Sequence, residues 1–98
     1  MLRITIYDDD HARKLCVEGS IRGPWVGELE RVWRQAQASA PGNHLRADLR
    51  MVSYIDDNGK KLLRRMVEDG VELVAIGPMM GAVVKDIIAR KKAVQEHV

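Results

Sequence analysis

The sequence predicts an α/β fold: a small mixed four-stranded sheet, built as an N-terminal hairpin followed by parallel strand-helix units, with about three helices. Three observations predict it. Leu2, Ile4 and Ile6 alternate with Arg3, Thr5 and Tyr7 at the period of a half-buried strand. Apolar residues recur at helical spacing after Pro24 and again after Gly59. The order strand, strand, helix, strand, helix, strand, helix then calls for right-handed helical crossovers between parallel strands.

Taken in order, Asp8 to His11 forms a polar turn, and Ala12 to Gly19 resumes a strand with Leu15, Cys16 and Val17 at its apolar centre. The two strands pair as an antiparallel hairpin. Gly19, Ser20 and Gly23 loosen the chain, and Pro24 takes a first helical position, where its missing N–H would be unpaired anyway. From Trp25 to about Ala38, Val26, Leu29, Val32, Trp33 and Ala36 form one apolar stripe, with Trp33 in the core. Ala40 to Asn43 ends this helix.

The next strand runs from His44 to Asp48 and Leu49, and a short connection from Met51 leads to Asp56, Asp57, Asn58 and Gly59. Acids and Asn here open a helix, because their side chains accept the free N–H groups of a first turn and a carboxylate suits the positive end of the dipole. Leu62, Leu63, Met66 and Val67 form its buried face, and Gly70 stands where a left-handed cap is wanted. Val71 to Ile76 reads as the last strand. Gly77 to Gly81 is a loop, and a final helix from about Ala82 buries Val83, Val84, Ile87 and Ile88 before a solvated basic end at Arg90, Lys91 and Lys92.

With 98 residues, 46% hydrophobic and 31% charged, the composition is that of a single domain spanning 1–98 with a modest core. The net charge is +2, but acids and bases are interspersed, which argues against a nucleic-acid partner. No apolar run approaches the roughly 18 residues of a membrane span, and the first residues lack a signal-peptide core, so neither insertion nor export is expected. A single cysteine, Cys16, reads as a buried thiol in a reducing cytoplasm. Five Met and no Phe leave Leu, Val, Ile and Met to fill the core.

In a parallel sheet the loops after the carboxyl ends of the strands gather on one rim, here Ser20 to Gly23, Met51 to Asn58 and Gly77 to Met80. No catalytic set converges there. Asp8, Asp9 and Asp10 with Asp48 suggest an acidic Mg²⁺ pocket of the phospho-receiver kind, but the residues after Asp10 continue as a strand where such a pocket requires a helix. His11, Cys16, His44 and His97 contain no close pair of metal ligands, so no metal is expected. Ser20, Ser39 and Ser53 lie in no strained elbow, and Pro78 removes an N–H that an anion loop near Gly77 and Gly81 would use. No cofactor is expected, and the chain reads as no enzyme.

The pattern D-L-x-x-V-x-x-I-D-x-x-G, present as Asp48, Leu49, Val52, Ile55, Asp56 and Gly59, resembles the signature of the STAS domain. That family comprises bacterial anti-sigma-factor antagonists and the cytoplasmic domains of sulphate transporters, and the resemblance extends over nearly the whole chain in element order. It implies a non-enzymatic regulatory module that binds an anti-sigma factor or regulatory kinase and acts in transcription regulation by partner switching. In phosphorylation-switched members the helix opens D-S-[ST]-G, and the hydroxyl residue before the glycine is the phospho-acceptor. Here that position is Asn58, which has no hydroxyl, and the preceding serine position is Asp57.

The resemblance places partner contact on the first turns of this helix, at Asp56, Asp57, Asn58, Gly59, Lys60, Lys61 and Arg64. The adjoining Met79 and Met80 would offer a flexible, polarisable surface or else cover the sheet edge. Asp57 either faces the partner or simply caps the helix, and Asp56 reads as the cap. The alternative is a small-ligand-binding or structural subunit on the same scaffold. The sequence leaves self-association open, a homodimer included.

Overall fold

The computed structural model describes residues 1–8, 12–39 and 44–96, with side chains through 91. Asp9, Asp10 and His11 of the first turn, Ala40 to Asn43 of the second connection, the Lys92 side chain and His97 lie outside the described residues. The elements are β1 (Leu2–Asp8), β2 (Ala12–Ile21), α1 (Pro24–Ser39), β3 (His44–Ile55), α2 (Asp57–Glu68), β4 (Glu72–Val74) and α3 (Pro78–Glu96). They form a small α/β fold around a four-stranded sheet of order β1-β2-β3-β4, in which β1 runs antiparallel to β2 and the other pairs are parallel.

The core lies between one sheet face and the helices. Leu15, Val17 and Ile21 of β2 and Leu45, Ala47 and Leu49 of β3 meet Leu29, Trp33 and Ala36 of α1, and Leu62, Leu63 and Met66 of α2. Facing the other way, β1, β2 and β3 carry Thr5, Lys14, Cys16, Arg46 and Asp48, which pair across the ladders as Thr5↔Cys16, Cys16↔Asp48 and Lys14↔Arg46. Cys16 is only partly covered, not fully buried as expected, because it points to this outer face; burial still pushes its thiol pKa up.

Four elements are bounded differently from expectation. β3 does not end at Leu49 but continues to Ile55, so Met51 to Ile55 is strand, not connection. Its buried apolar residues are Leu45, Ala47, Leu49, Val52 and Ile55, so the spacing changes from two to three. The ladder with β2 shifts at the same places, between Cys16 and Glu18 and between Gly19 and Ser20. Each shift inserts an extra β3 residue, and such a bulge returns the next side chain to the core at a spacing of three. A strand read by strict alternation therefore stops at the first bulge.

β2 likewise runs on through Ser20 and Ile21. β4 is shorter than the Val71 to Ile76 run, holding only Glu72 to Val74. At the last helix, Gly77 to Gly81 is not a loop: α3 begins at Pro78. Pro78 occupies the same first-turn position that Pro24 takes in α1, for the same reason. Starting the helix there sets its phase so that Met80, Val84 and Ile87 are buried, while Ile88, expected inside, is 48% exposed.

Candidate functional site

Asp56 organises the end of the sheet. Its backbone N–H donates to the Ile21 carbonyl at 3.0 Å, closing the β2·β3 ladder, and its extended backbone (φ −92°, ψ 179°) is that of a helix N-cap. One carboxylate oxygen accepts the Gly59 N–H at 2.8 Å and caps α2. The other accepts the Gly23 N–H at 3.0 Å, the residue just before α1. A single side chain thus ties the start of one helix to the start of the next. Those N–H groups, Gly23 first and then Gly59, hold its carboxyl below the ordinary carboxylate range.

Gly59 makes this junction possible. A Cβ at Gly59 would lie 2.8 Å from the Ile21 carbonyl oxygen and 2.7 Å from the Ile55 side chain. Only a residue without a Cβ lets α2 sit directly on the ends of β2 and β3. At the far end, Gly70 N–H reaches the Val67 carbonyl and Val71 N–H the Met66 carbonyl at 2.9 Å, with Gly70 at φ +94°. That is a Schellman cap, as Gly70 predicted.

Of the residues expected to face a partner, Asp57, Asn58 and Lys61 are exposed on one turn. Asp56, Lys60 and Arg64 are partly covered, and Gly59 and Met80 are buried. Gly59 is therefore a spacer and not a contact residue, and Met80 is a core residue, 2% exposed, because Pro78 starts the helix two residues before it. Met79 remains outward at 43% exposed. Trp25, 37% exposed, stands on the first turn of α1.

The expected rim is thus Arg22 and Gly23 with Asp56 to Asn58, without the strand residues Ser20, Ile21 and Met51 to Ile55. β4 pairs no further than Asp48↔Val74, whereas β3 continues to Ile55; Ala82 and Val83, early in α3, line a groove with Lys60 of α2.

Beside the rim, an open groove of about 580 Å³ runs between α1 and α2, and Asn58 and Lys61 open onto it. Arg65 in the groove makes a two-pronged bond to Glu30 of α1 at 2.9 and 3.1 Å. Arg65 holds the Glu30 carboxyl below its ordinary range. On the other side of α2, Lys60 and Arg64 face Asp86 and Ile87 of α3 across a second groove.

Sequence reasoning placed Gly23 on the rim but overlooked Glu30, Arg65 and Glu68 as groove residues. The signal was there: Asn58, Lys61, Arg65 and Glu68 recur at three- and four-residue steps on one face of α2.

Asp48 is engaged by a neighbour on its own strand. It lies on the outer sheet face, 8% exposed, and takes the Arg50 guanidinium in a fork at 2.7 to 3.2 Å as well as the Arg50 N–H. Arg50 holds its carboxyl below the ordinary value. Asp8 is engaged by Arg13, which also bonds Ser39. His44 meets Glu72 at 2.9 Å. Among the described residues, no group of three or more His, Cys, Asp and Glu stands close enough to hold a metal, and no helix is long and apolar enough to cross a membrane.

The depressed carboxyls set a pH dependence. A carboxylate that binds its proton less tightly in the fold than in the unfolded chain stabilises fully above the ordinary aspartate value of about 3.9 and loses that contribution as pH falls through its lower folded value. Thermal melts should therefore show an acid limb beginning below about pH 4. Asp56→Asn should shallow that limb while lowering Tm at neutral pH, and Asp56→Ala should lower it further, because Asn retains one capping oxygen where Ala retains none.

No family model matches the chain, and no curated protein matches it. Solved structures do match. An anti-sigma factor antagonist from Mycobacterium paratuberculosis superposes with a TM-score of 0.80 and 24% identity, over 94% of this chain and 82% of that one. The structure of Mglu matches with a TM-score of 0.57 and 22% identity, over 76% of this chain but only 19% of that one. The four-stranded mixed sheet with its three helices is accordingly a STAS-like fold, shared with an anti-sigma factor antagonist.

Proposed function

We propose that the chain is a single, non-enzymatic regulatory module that binds an anti-sigma factor or a related regulatory kinase through the first turn of α2. The observation that carries this reading is the double cap at Asp56, which holds Asp57, Asn58 and Lys61 exposed on a rigid turn beside the α1·α2 groove. Preorganised contact residues lose little freedom on docking. The shared fold with an antagonist supports the partner class. Binding is competitive: the module occupies its partner and a sigma factor or another client is released.

Asn58 cannot accept a phosphoryl group, so switching acts through concentration or another site. Asp57 adds a fixed charge of −1, against about −1.5 to −2 for a phosphate, and imitates a phosphorylated state only in part. The partner surface it fits carries a cation opposite Asp57 and an acid opposite Lys61.

Affinity purification from the native cells, with mass spectrometry of the captured proteins, tests the surface. Wild type should retain an anti-sigma or kinase-type partner, and Asp57→Arg should weaken its capture by about tenfold or more, since a charge reversal in a complementary interface costs at least about 1.4 kcal/mol. Recovery of the chain alone from both samples refutes the reading. Incubation of that partner, if a kinase, with ATP should leave position 58 unmodified in wild type and modify Asn58→Ser; transfer onto the wild-type turn would refute the role given to Asn58.

A further inference from the structure

β1 is an edge strand built without the devices that usually keep such edges apart. The opposite edge, β4, is three residues long, whereas β1 runs seven and pairs from Leu2↔Gly19 to Asp8↔Arg13 without a shift. It contains no Pro, no Lys and no bulge, and its centre, Ile4, Thr5 and Ile6, carries no charge.

The direction of its backbone groups follows from one bond. Ser20 N–H donates to the Met1 carbonyl at 2.9 Å, and bonding alternates along an antiparallel ladder. The odd residues therefore bond β2, and Leu2, Ile4 and Ile6 aim their N–H and C=O groups out of the sheet. Ile6 also lies on the helix-covered face, opposite the fully buried Leu15, yet is itself 44% exposed. An apolar side chain on the core face is thus left part-exposed at the edge of the sheet.

We propose that β1 pairs with β1 of a second copy of this chain, antiparallel about a two-fold axis at Thr5, so that the two four-stranded sheets become one. The strand is self-complementary in that register. Ile4 stands opposite the partner's Ile6 as a hydrogen-bonded pair, which covers the exposed flank of Ile6 with an apolar side chain. Arg3 stands opposite the partner's Tyr7 as a non-hydrogen-bonded pair, where side chains approach most closely and a guanidinium can lie on a ring. Centring the axis on Ile4 or Ile6 instead shortens the overlap and separates Arg3 from Tyr7.

Sedimentation velocity across the micromolar range tests association, and cysteine cross-linking tests the register. In a Cys16→Ser background, needed because Cys16 is the ladder partner of Thr5 within the chain, Thr5→Cys should form a disulfide with its own copy. Arg3→Cys alone should not, but Arg3→Cys mixed with Tyr7→Cys should. Ile6→Lys, at an already exposed position, should weaken association by about tenfold or more while the dilute monomer melts as wild type does. A chain that stays monomeric throughout the range, or an Arg3→Cys chain that cross-links to itself as readily as Thr5→Cys, overturns the proposal. Neither result depends on whether a regulatory partner binds α2.

Discussion

Gly59→Ala lowers the melting temperature by about 5 to 15 °C, although intrinsic helix propensity alone favours Ala over Gly by about 1 kcal/mol. The reason is local. The new Cβ would sit 2.8 Å from a backbone oxygen of β2 and 2.7 to 2.9 Å from two isoleucine side chains, and the backbone oxygen cannot turn aside. α2 must lift from the sheet, at an overpacking cost of about 1 to 3 kcal/mol net of propensity. Lifting α2 also lengthens the Asp56 cap, so the turn proposed to meet a partner loses its fixed geometry. Calorimetry of the purified variant measures the first effect and partner capture the second. A variant as stable as wild type would mean that α2 is not held against β2 at this point.

Trp33→Ala costs about 3 to 5 kcal/mol, a large part of the stability of a domain this size. Trp33 is fully buried and has the largest volume among the fully buried side chains, in a chain with no Phe. Trp33→Phe should cost far less, within about 1.5 kcal/mol. The indole N–H has no hydrogen-bond partner among the described residues, so removing it relieves an unsatisfied donor and offsets part of the lost volume. The Arg34 guanidinium, 4.1 Å from the Trp33 ring centroid, still has an aromatic face to cover. Denaturant titrations of the two variants check this; a Trp33→Phe loss well above about 1.5 kcal/mol would indicate that the N–H is satisfied in solution.

Where alternation or helical spacing was unbroken, the sequence was legible. β1, the apolar stripe of α1, the buried face of α2 and the Gly70 cap stand where their residues placed them. The second half of β3 was not legible, because two bulges changed its buried spacing from two to three, and neither bulge has a local signature in Arg50 to Ile55. The start of α3 could have been read from Pro78 by the rule already applied to Pro24. Missing it left Met80 in a loop, open either to partner contact or to packing, where the helix buries it.

The site divides along the same line. Asp56 as an N-cap, and Asp57 and Asn58 as an exposed first turn, follow from side chains acting on their own backbone neighbours, which is chemistry that sequence carries by itself. The sequence by itself also determined the alternation of elements and the residues able to build a core. That Asp56 binds Gly23 as well, that Gly59 is glycine because β2 lies against it, and that Arg65 reaches Glu30 were decided only by tertiary structure. Those contacts join residues about 30 positions or more apart in the chain, and such pairings exist only after the strands have paired and the helices have closed over them.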